Sequence, residues 1–361
     1  MKKQVVIIGA GPAGLAAAIE ATKNGCEVLV IDENRIAGGQ FFKQLHKFFG
    51  SQAHSAGIRG IDIGKQLLAE TEELGVEMWL NSSVIGIFDD KRAAVLRKGA
   101  TVVVRAEKIL ICTGGAENPL RFPGWTLPGV MGAGAAQTMV NVNRVLPGQR
   151  ILMIGSGNVG VIVAYQLIQA GADVVGIVEG MPRIGAYGVH AAKLKRAGVP
   201  FFIGHTIAEA RGKDKVEEAV IARFDNGQIL NGTEQKTAVD TVCVAVGLRP
   251  LAELAKMAGA REGFIPELGG CMPLHNQDME TSVSGIYVAG DTAGVEEAST
   301  AMDEGRLAAV AIAEALGMIS SSVGADKKAE ISGRLSSLRQ GPFGERRMNA
   351  KKRVLGMGVK K

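Results

Sequence analysis

Two clusters of glycine residues, each followed by a carboxylate at a fixed distance, are the part of this sequence best suited to chemistry. The first cluster consists of Gly9, Gly11, Pro12, Ala13 and Gly14. In such a cluster the first glycine permits a tight turn, the second lets the backbone approach a pyrophosphate, and the third allows close packing of helix on strand. Asp32 follows Gly9 by 23 residues. The cluster therefore predicts dinucleotide binding, with Asp32 or the adjacent Glu33 accepting hydrogen bonds from a ribose.

The second cluster repeats this spacing further along the chain. It consists of Gly155, Gly157, Asn158, Val159 and Gly160. Glu179 ends the next apolar run and is the candidate ribose acceptor; a carboxylate there repels a 2′-phosphate and favours NAD(H) over NADP(H). The nearby Arg183 leaves this choice open. So does the alternative that the site holds another adenine nucleotide or keeps its motif for structural reasons alone.

The elements that position both clusters follow from the hydrophobic pattern. QVVIIG is typical of a buried parallel strand, LAAAIEATKNG of a helix that ends at Gly25, and CEVLVID of a second strand. The same strand, glycine turn, helix and strand recur over QRILMIGSGNVGVIVAYQLIQAGADVVGIVE. This internal repeat predicts an α/β fold with two Rossmann-like dinucleotide-binding domains. Between the repeats, SVIGIF, AAVLRK and TVVVRA predict a small antiparallel meander, and KILICTGG a return to the parallel sheet.

Residues 35–60 form a long glycine-punctuated segment that is expected to be a site loop. It holds four side chains that could take part in chemistry, namely Lys43, His46, Lys47 and His54. A histidine in a loop is more often a structural hydrogen-bonding group, so no catalytic residue is assigned.

The spacing of the cysteines argues against metal binding and disulfide chemistry. Cys26, Cys112, Cys243 and Cys271 stand far apart, and no CxxC or CxxxxC occurs. Their spacing suggests neither a disulfide framework nor a zinc or iron–sulfur site, so no metal is expected and a reducing cytoplasm is the expected location.

Composition sets further limits. A chain of 361 residues with 47% hydrophobic content can build two cores, and 4% aromatic content argues against an aromatic nucleic-acid platform. The lysines and apolar residues at the N-terminus resemble a secretory signal, but a glycine motif inside them argues against that interpretation. No apolar run is long enough for a direct membrane span.

The net charge of +5 is unevenly distributed along the chain. Residues 326–361 carry eleven Lys or Arg against three acids. Such a basic C-terminal extension is expected either to be a solvated, partly disordered end or to bind an acidic partner protein, whereas nucleic acid is disfavoured.

Three further motifs, taken with the first glycine cluster, resemble the pattern of a known enzyme superfamily. GAGPAG, CTGG at 112–115, VGLRP at 246–250 and GIYVAGD at 285–291 occur in the order found in FAD-dependent pyridine-nucleotide oxidoreductases, and the match extends to about residue 320. Within that superfamily, AGGQFFKQLHKFFGSQAHSAGIRG, EEASTAMDEGRLA and LRQGPFGE resemble the α-subunit group of multimeric sarcosine oxidase, dye-linked proline dehydrogenase, opine oxidase and hydrogen cyanide synthase. The resemblance implies a discontinuous FAD-binding domain at 1–120 and 248–322, an inserted NAD(H)- or nucleotide-binding domain at 121–247, and the extension at 323–361.

The same resemblance implies roles for individual residues. Thr113 and Gly114 are expected to close over the FAD, and Asp291, next to Gly290, to accept from its ribityl or phosphate side. Glu297 and Ala298 are expected to place a helix N-terminus near the pyrimidine end of the flavin, where it stabilises the negative charge of the reduced ring. The remaining residues expected at the flavin are Gly39, Gln40 and Val84.

The expected function is an FAD-containing electron-transfer (α) subunit of a multisubunit flavin dehydrogenase that oxidises an amino or imino acid or another secondary amine. The resemblance implies a hetero-oligomer with a small iron–sulfur protein and a substrate-oxidising flavoprotein subunit, since larger relatives carry a Cys-rich segment that is not found here. One alternative is a self-sufficient NADH-dependent flavin reductase that passes electrons to ferredoxin, quinone or oxygen. A second alternative is a nucleotide-binding scaffold subunit. Disulfide reduction is disfavoured because the cysteine pair is absent.

Overall fold

The chain folds into two compact units, which a computed structural model describes over residues 1–48, 52–88 and 90–358. Unit 1 comprises Met1–Ala116 and Leu248–Lys361, and unit 2 comprises Glu117–Gly247. Residues 49–51 of the expected site loop, and the last two lysines of the basic extension, lie outside the described residues.

Among the described residues up to Glu117, the chain forms two helices, two short 3₁₀ turns and seven strands. The helices are α1 (Pro12–Lys23) and α2 (Gly60–Glu73), and the 3₁₀ turns are Gly39–Lys43 and Gln52–His54. The strands are β1 (Lys2–Ile8), β2 (Val28–Ile31), β3 (Glu77–Trp79), β4 (Ser82–Ile87), β5 (Arg92–Arg97), β6 (Ala100–Ile111) and β7 (Gly115–Glu117).

Unit 2 alternates strands and helices, then forms a small antiparallel sheet, and returns to its parallel sheet with its last strand. Its helices are α3 (Ala133–Asn141), α4 (Asn158–Gln169) and α5 (Gly188–Arg196). Its strands are β8 (Val130–Gly132), β9 (Arg150–Ile154), β10 (Asp173–Glu179), β11 (Phe201–Ile203), β12 (His205–Arg211), β13 (Glu218–Asp225), β14 (Gln228–Ile229), β15 (Gln235–Ala238) and β16 (Thr241–Val244).

The chain then returns to unit 1. The strands of this part are β17 (Leu248–Pro250), β18 (Glu262–Ile265), β19 (Gly270–Pro273) and β20 (Ile286–Val288). The helices are α6 (Glu253–Met257), α7 (Ala298–Ala315), α8 (Ser321–Leu338) and α9 (Gly341–Met357), with 3₁₀ turns at Pro266–Leu268 and Gly290–Ala293.

Each unit is built on a five-stranded parallel sheet with the same spatial order. In unit 1 the order is β3-β2-β1-β6-β20, and in unit 2 it is β11-β10-β9-β16-β8. The central strand of each sheet, β1 or β9, leads directly into a glycine cluster. The α/β fold with two Rossmann-like domains, the second inserted in the first, is therefore confirmed.

Strand β6 of unit 1 belongs both to the antiparallel meander and to the parallel sheet, whereas the hydrophobic pattern predicts a separate strand for each. The first half of β6 pairs antiparallel with β5, and its second half pairs in parallel with β1 and β20. TVVVRA and KILI are thus one continuous strand. The meander β4-β5-β6 is joined to the parallel sheet without a break.

The cores follow the strand pattern. The apolar residues 5–8 of β1 and all of β2 are buried, as expected for strands covered on both faces. Helices α1 and α7 pack so closely that a Cβ added to Gly305 would meet the Ala13 carbonyl oxygen at 2.2 Å. A separate small core joins β18 and β19 to α9 through Ile265, Leu268, Met272, Leu274, Ala350 and Val354.

The basic C-terminal extension differs from the solvated, partly disordered end that its composition suggests. Its described part forms α8 and α9, which belong to unit 1. Seven of its basic residues form ion pairs with carboxylates that lie before the extension: Lys327, Lys328, Arg334, Arg339, Arg347, Lys351 and Arg353. The charge imbalance of the sequence is therefore largely satisfied within the unit.

In the portion of the chain that the structure describes, every helix is too short or too polar to cross a membrane.

Candidate functional site

The first glycine turn lies where β1 meets α1. Gly9 has φ +104°, and a Cβ there would meet the Cys112 carbonyl oxygen at 2.3 Å. A Cβ on Gly14 would lie 1.8 Å from the Gly9 carbonyl oxygen. Both positions therefore require glycine, the first for its left-handed backbone and the second for close packing of α1 against the turn.

Gly11 differs from these two glycines because a Cβ there would meet no protein atom within 4 Å. It caps α1 with extended backbone, so nothing in the fold itself requires glycine. The open space faces the N-terminus of α1, where unpaired N–H groups and the helix dipole attract anions. These features fit the approach of a pyrophosphate group. Pro12 and Ala13 form the first turn of the helix below it.

Asp32 is buried at the end of β2 and its carboxylate is held by the backbone. One oxygen, Oδ2, accepts a hydrogen bond of 2.6 Å from the Ala10 N–H. The other, Oδ1, accepts from the backbone N–H and the side-chain amide of Asn34 at 2.7 and 2.9 Å. These contacts fix the carboxylate beside the glycine turn, and its spare lone pairs remain suited to ribose hydroxyls. Glu33 is exposed.

The start of the expected site loop lies directly on the glycine turn. The Gly38 N–H donates to the Ala10 carbonyl oxygen at 2.7 Å, and a Cβ on Gly39 would lie 2.9 Å from the Cα of Gly11. Gln40 follows as an exposed residue in the same 3₁₀ turn. The structure therefore brings Gly39 next to the first cluster, and Gln40 directly follows it.

The CTGG and GIYVAGD motifs also meet in unit 1. The Thr292 hydroxyl accepts a hydrogen bond of 2.8 Å from the Gly114 N–H and lies 3.2 Å from the Thr113 hydroxyl. A Cβ on Gly290 would meet the Cβ of Ala13 at 2.9 Å, which places this second segment against the start of α1. Thr292, which links the two motifs, is not identifiable from the sequence because a threonine in a turn carries no signal of its own.

Asp291 is half-buried, and desolvation of its carboxyl raises its pKa to about 6. The neighbouring carboxylates of Glu304, Glu297 and Glu296 raise it further, while the Glu296 N–H, 3.3 Å from Oδ1, opposes the shift. The ionised form of this carboxyl is therefore less favourable than that of an exposed aspartate.

Glu297 is the N-cap residue of α7, and Ala298 is its first helical residue. The helix thus begins at the position that the resemblance implies. Val84 is half-buried in β4, where it pairs with Val95.

Unit 2 reproduces the same geometry around the second cluster. Gly155 has φ +105°, and a Cβ on Gly160 would meet the Gly155 carbonyl oxygen at 2.3 Å. A Cβ on Gly157 would meet nothing within 4 Å. The parallel with Gly9, Gly14 and Gly11 supports the interpretation of both turns as nucleotide cradles.

Glu179 occupies the position that Asp32 holds in unit 1. Its Oε2 accepts from the Ser156 N–H at 2.9 Å and the Ser156 hydroxyl at 2.6 Å, and its Oε1 accepts from the Met181 N–H at 2.9 Å. Ser156 has no counterpart in the sequence motif and adds a second donor. Arg183 is exposed in the loop that follows.

The loop after β10 folds back over the second cluster. Asn158 accepts from the Tyr187 N–H at 3.0 Å, and the Gly185 N–H donates to the Ser156 hydroxyl at 3.0 Å. Val159 is exposed on the first turn of α4. The predicted residues of the second cluster therefore come together within one unit.

The two histidines of the expected site loop contact side chains of unit 1, and the two lysines lie near them in the sequence. His54 is buried and its Nε2 lies 3.3 Å from Oδ2 of Asp303, which links the loop to α7. His46 stacks on Phe48 with ring centroids 5.9 Å apart. Lys43 ends the first 3₁₀ turn and Lys47 is exposed.

All four cysteines are unpaired thiols. Burial raises the pKa of Cys26 to about 11 and that of Cys243 to about 12, and it raises the pKa of Cys112 strongly. Thiolates are the reactive form, so these buried cysteines are poor nucleophiles. Cys271 is exposed.

Comparison with protein families agrees with this geometry. Residues 3–305 match the family described as pyridine nucleotide-disulphide oxidoreductase, whose members are FAD- and NAD(P)-dependent oxidoreductases. This match confirms the expected class of enzyme and the expected cofactors, FAD and a nicotinamide nucleotide.

Within this family, the chain is similar in sequence to subunits of three kinds of enzyme. The chain is 31% identical to an opine oxidase subunit of Agrobacterium tumefaciens over 88% of this chain and 66% of that protein. It is 30% identical to the HcnB subunit of hydrogen cyanide synthase of Pseudomonas aeruginosa over 86% of this chain and 71% of that protein. It is also 29% identical to the alpha subunit of sarcosine oxidase of Rhizobium meliloti over 87% of this chain but 31% of that protein. The predicted resemblance to this group of subunits is confirmed.

Among solved structures, thioredoxin reductase of T. acidophilum superposes with a TM-score of 0.73 over 87% of this chain and 99% of that chain, at 22% identity. This similarity concerns the fold.

Proposed function

Because this chain belongs to the pyridine nucleotide-disulphide oxidoreductase family, we propose that it is the FAD-containing electron-transfer subunit of a multisubunit flavin dehydrogenase. The substrate class is an amino acid, an imino acid or another secondary amine. The chain takes electrons into its flavin and passes them on, and a separate flavoprotein subunit oxidises the amine.

The observation that carries this proposal is the pair of glycine turns, each open at its second glycine and each flanked by a fixed carboxylate. In unit 1, FAD would be held at Gly11 and the start of α1, with Asp32 on its ribose side. The backbone of Gly39, Gly114 and Asp291 would complete that site. In unit 2, a nicotinamide or other adenine nucleotide would be held at Gly157, with Glu179 on its ribose side.

The cysteines support electron transfer over disulfide reduction. Three of the four, Cys26, Cys112 and Cys243, are buried, and none is paired. Without a thiol pair next to the flavin, electrons leave it for another carrier. A nucleotide, a second flavin or an iron–sulfur centre can serve, and the last two imply a partner protein.

The names of the relatives support the proposed substrate class. The relatives from opine oxidase, hydrogen cyanide synthase and sarcosine oxidase are all named as subunits, and two of them belong to oxidases of amines. By analogy, the partners would be a substrate-oxidising flavoprotein and a small iron–sulfur protein, in the cytoplasm. Their activities belong to whole complexes, of which this chain would form one part.

A second function, NADH-dependent flavin reduction without partners, is favoured by one observation. The Glu179 carboxylate is oriented by three hydrogen bonds at the second glycine turn, as a ribose acceptor of NADH would be. In this alternative the electrons pass to ferredoxin, quinone or oxygen.

Affinity purification of the chain from its native host tests the proposal. Mass spectrometry would identify the proteins and the released cofactors. We expect FAD together with a second flavoprotein in fixed stoichiometry. Recovery of an FAD-loaded chain alone that oxidises NADH would favour the reductase, and bound nucleotide without flavin would favour a scaffold role.

A further inference from the structure

The C-terminal helices bring two cations into a buried cluster beside the expected flavin site of unit 1. The cluster consists of Glu296, Glu304, Arg339 and Lys351, whose side chains are between 3% and 11% exposed. Two carboxylates and two cations make it neutral overall. Buried charges persist only when they are paired in this way.

The pairing in the cluster is close and mutual. Arg339 Nη2 lies 2.6 Å from a carboxylate oxygen of Glu296 and 2.6 Å from one of Glu304. Arg339 Nε donates to the second oxygen of Glu296 at 3.0 Å. Lys351 Nζ lies 2.7 Å from Glu304 and 3.7 Å from Glu296.

Two further contacts connect the cluster to the backbone of residues 290–296, and a third lies within that segment. Lys351 Nζ donates to the Ala293 carbonyl oxygen at 2.9 Å, and the Gly290 N–H donates to Glu304 Oε2 at 3.1 Å. The N–H of Glu296 donates to Asp291 at 3.3 Å. The cluster therefore holds the turn that rests on the start of α1 and leads into α7.

A third cation extends the pattern to the end of the segment. Arg347 Nη1 donates to Glu297 Oε1, at the N-cap of α7, at 2.9 Å. Glu296 and Glu297 at the beginning of α7, and Glu304 in its second turn, are thus offset by three cations from the C-terminal extension. Without these cations, the negative charge of the carboxylates would cancel the partial positive charge of the helix N-terminus.

We propose that Arg339 and Lys351 are positioning residues of the flavin site, which fix the Gly290–Glu297 segment and keep the beginning of α7 free of net negative charge. The inference rests on the proposed FAD site in unit 1. It assigns to the basic C-terminal extension a role inside its own chain.

The test substitutes Lys351 by Met, which keeps the length of the side chain and removes its charge. We expect the dissociation constant of FAD to rise at least tenfold and the flavin midpoint potential to fall, because an uncompensated carboxylate disfavours the reduced anionic flavin. Lys351→Arg should keep both values near those of the wild type. The matched control is Arg353→Met, since Arg353 lies on the same helix but pairs with Glu267 at the surface.

The double variant Lys351→Met/Glu304→Gln distinguishes charge from simple stability. It restores neutrality, and the glutamine still offers an oxygen to Gly290, so the midpoint potential should return towards the wild-type value. If Lys351→Met does not fold, the FAD affinity and the midpoint potential of the double variant are compared with those of Arg339→Met/Glu304→Gln. Both of these double variants should bind FAD.

Folded Lys351→Met with unchanged FAD affinity and unchanged potential would overturn the inference, and so would a double variant whose potential stays as low as that of the single variant. If the wild-type chain itself binds no FAD, the proposed function fails, and this result is obtained before any variant is compared.

Discussion

Substitution of Gly11 by valine separates the two reasons for which a glycine can stand in a tight turn. A Cβ at Gly11 would meet no protein atom within 4 Å, and its φ of −82° suits any residue. The fold should therefore tolerate valine. Replacing glycine at the N-cap of α1 is expected to cost about 1 kcal/mol, or a fall of about 2–4 °C in the melting temperature.

The effect on FAD should be much larger. If the space above Gly11 receives the pyrophosphate, the valine side chain prevents close approach to the N–H groups of the turn. Loss of two charge-assisted hydrogen bonds at about 1.5–3 kcal/mol each predicts a rise of about 10²- to 10⁴-fold in the FAD dissociation constant. Titration of the purified apoprotein with FAD, followed by flavin fluorescence, measures this rise.

Two other glycines serve as controls. Gly14→Ala should destabilise the fold outright, because the added Cβ would lie 1.8 Å from the Gly9 carbonyl oxygen. Gly157→Val places the same side chain in the equivalent open position of unit 2 and should leave FAD binding intact. A folded Gly11→Val protein that binds FAD as tightly as the wild type would refute the assignment of the first turn.

Three further predictions follow from other contacts. Glu179→Ala removes the acceptor of three hydrogen bonds at the second glycine turn, and should weaken nucleotide binding by about tenfold or more in calorimetry while FAD content stays constant. Asp291→Asn should stabilise flavin-free Gly11→Val protein. Burial raises the pKa of Asp291 from 3.8 to about 6. Ionisation of the carboxyl therefore removes up to about 3 kcal/mol of stability as the pH rises between these two values. Urea unfolding should show that Asp291→Asn is more stable than its parent protein at about pH 8, and equally stable at a pH below the ordinary pKa. Asp303→Ala should cost about 3–5 kcal/mol in urea unfolding, since it leaves Arg306 and Arg334 without their buried carboxylate; Glu330→Ala, which removes the exposed partner of Arg334, should change stability by less than about 1 kcal/mol.

The strand and helix pattern near each glycine cluster was predictable because local signals agree there. Buried apolar strands, glycines at fixed spacing and a terminal carboxylate all indicate the same βαβ unit, and both carboxylates lie beside their turns. Motifs that are distant in sequence, such as CTGG and GIYVAGD, could be placed together only through the family resemblance. Their actual link, the Thr292 hydroxyl, depends on tertiary packing.

The C-terminal extension shows where composition misleads. A run rich in lysine and arginine suggests a solvated end, because charge alone carries no information about its partners. The partners are Glu296, Glu304 and other acids far earlier in the chain, and they become apparent only when α7, α8 and α9 are packed. Similarly, the pattern of β6 predicts two strands because its two halves face different neighbours.

We propose that the flavin of this chain receives, through a partner protein, electrons that derive from an amine. The most direct test is an anaerobic titration that follows the flavin absorbance of the isolated chain and of the purified complex, first with candidate amines and then with NADH. We expect amines to bleach the flavin in the complex and to leave the isolated chain oxidised. Bleaching of the isolated chain by NADH, with no response of the complex to any amine, would contradict it.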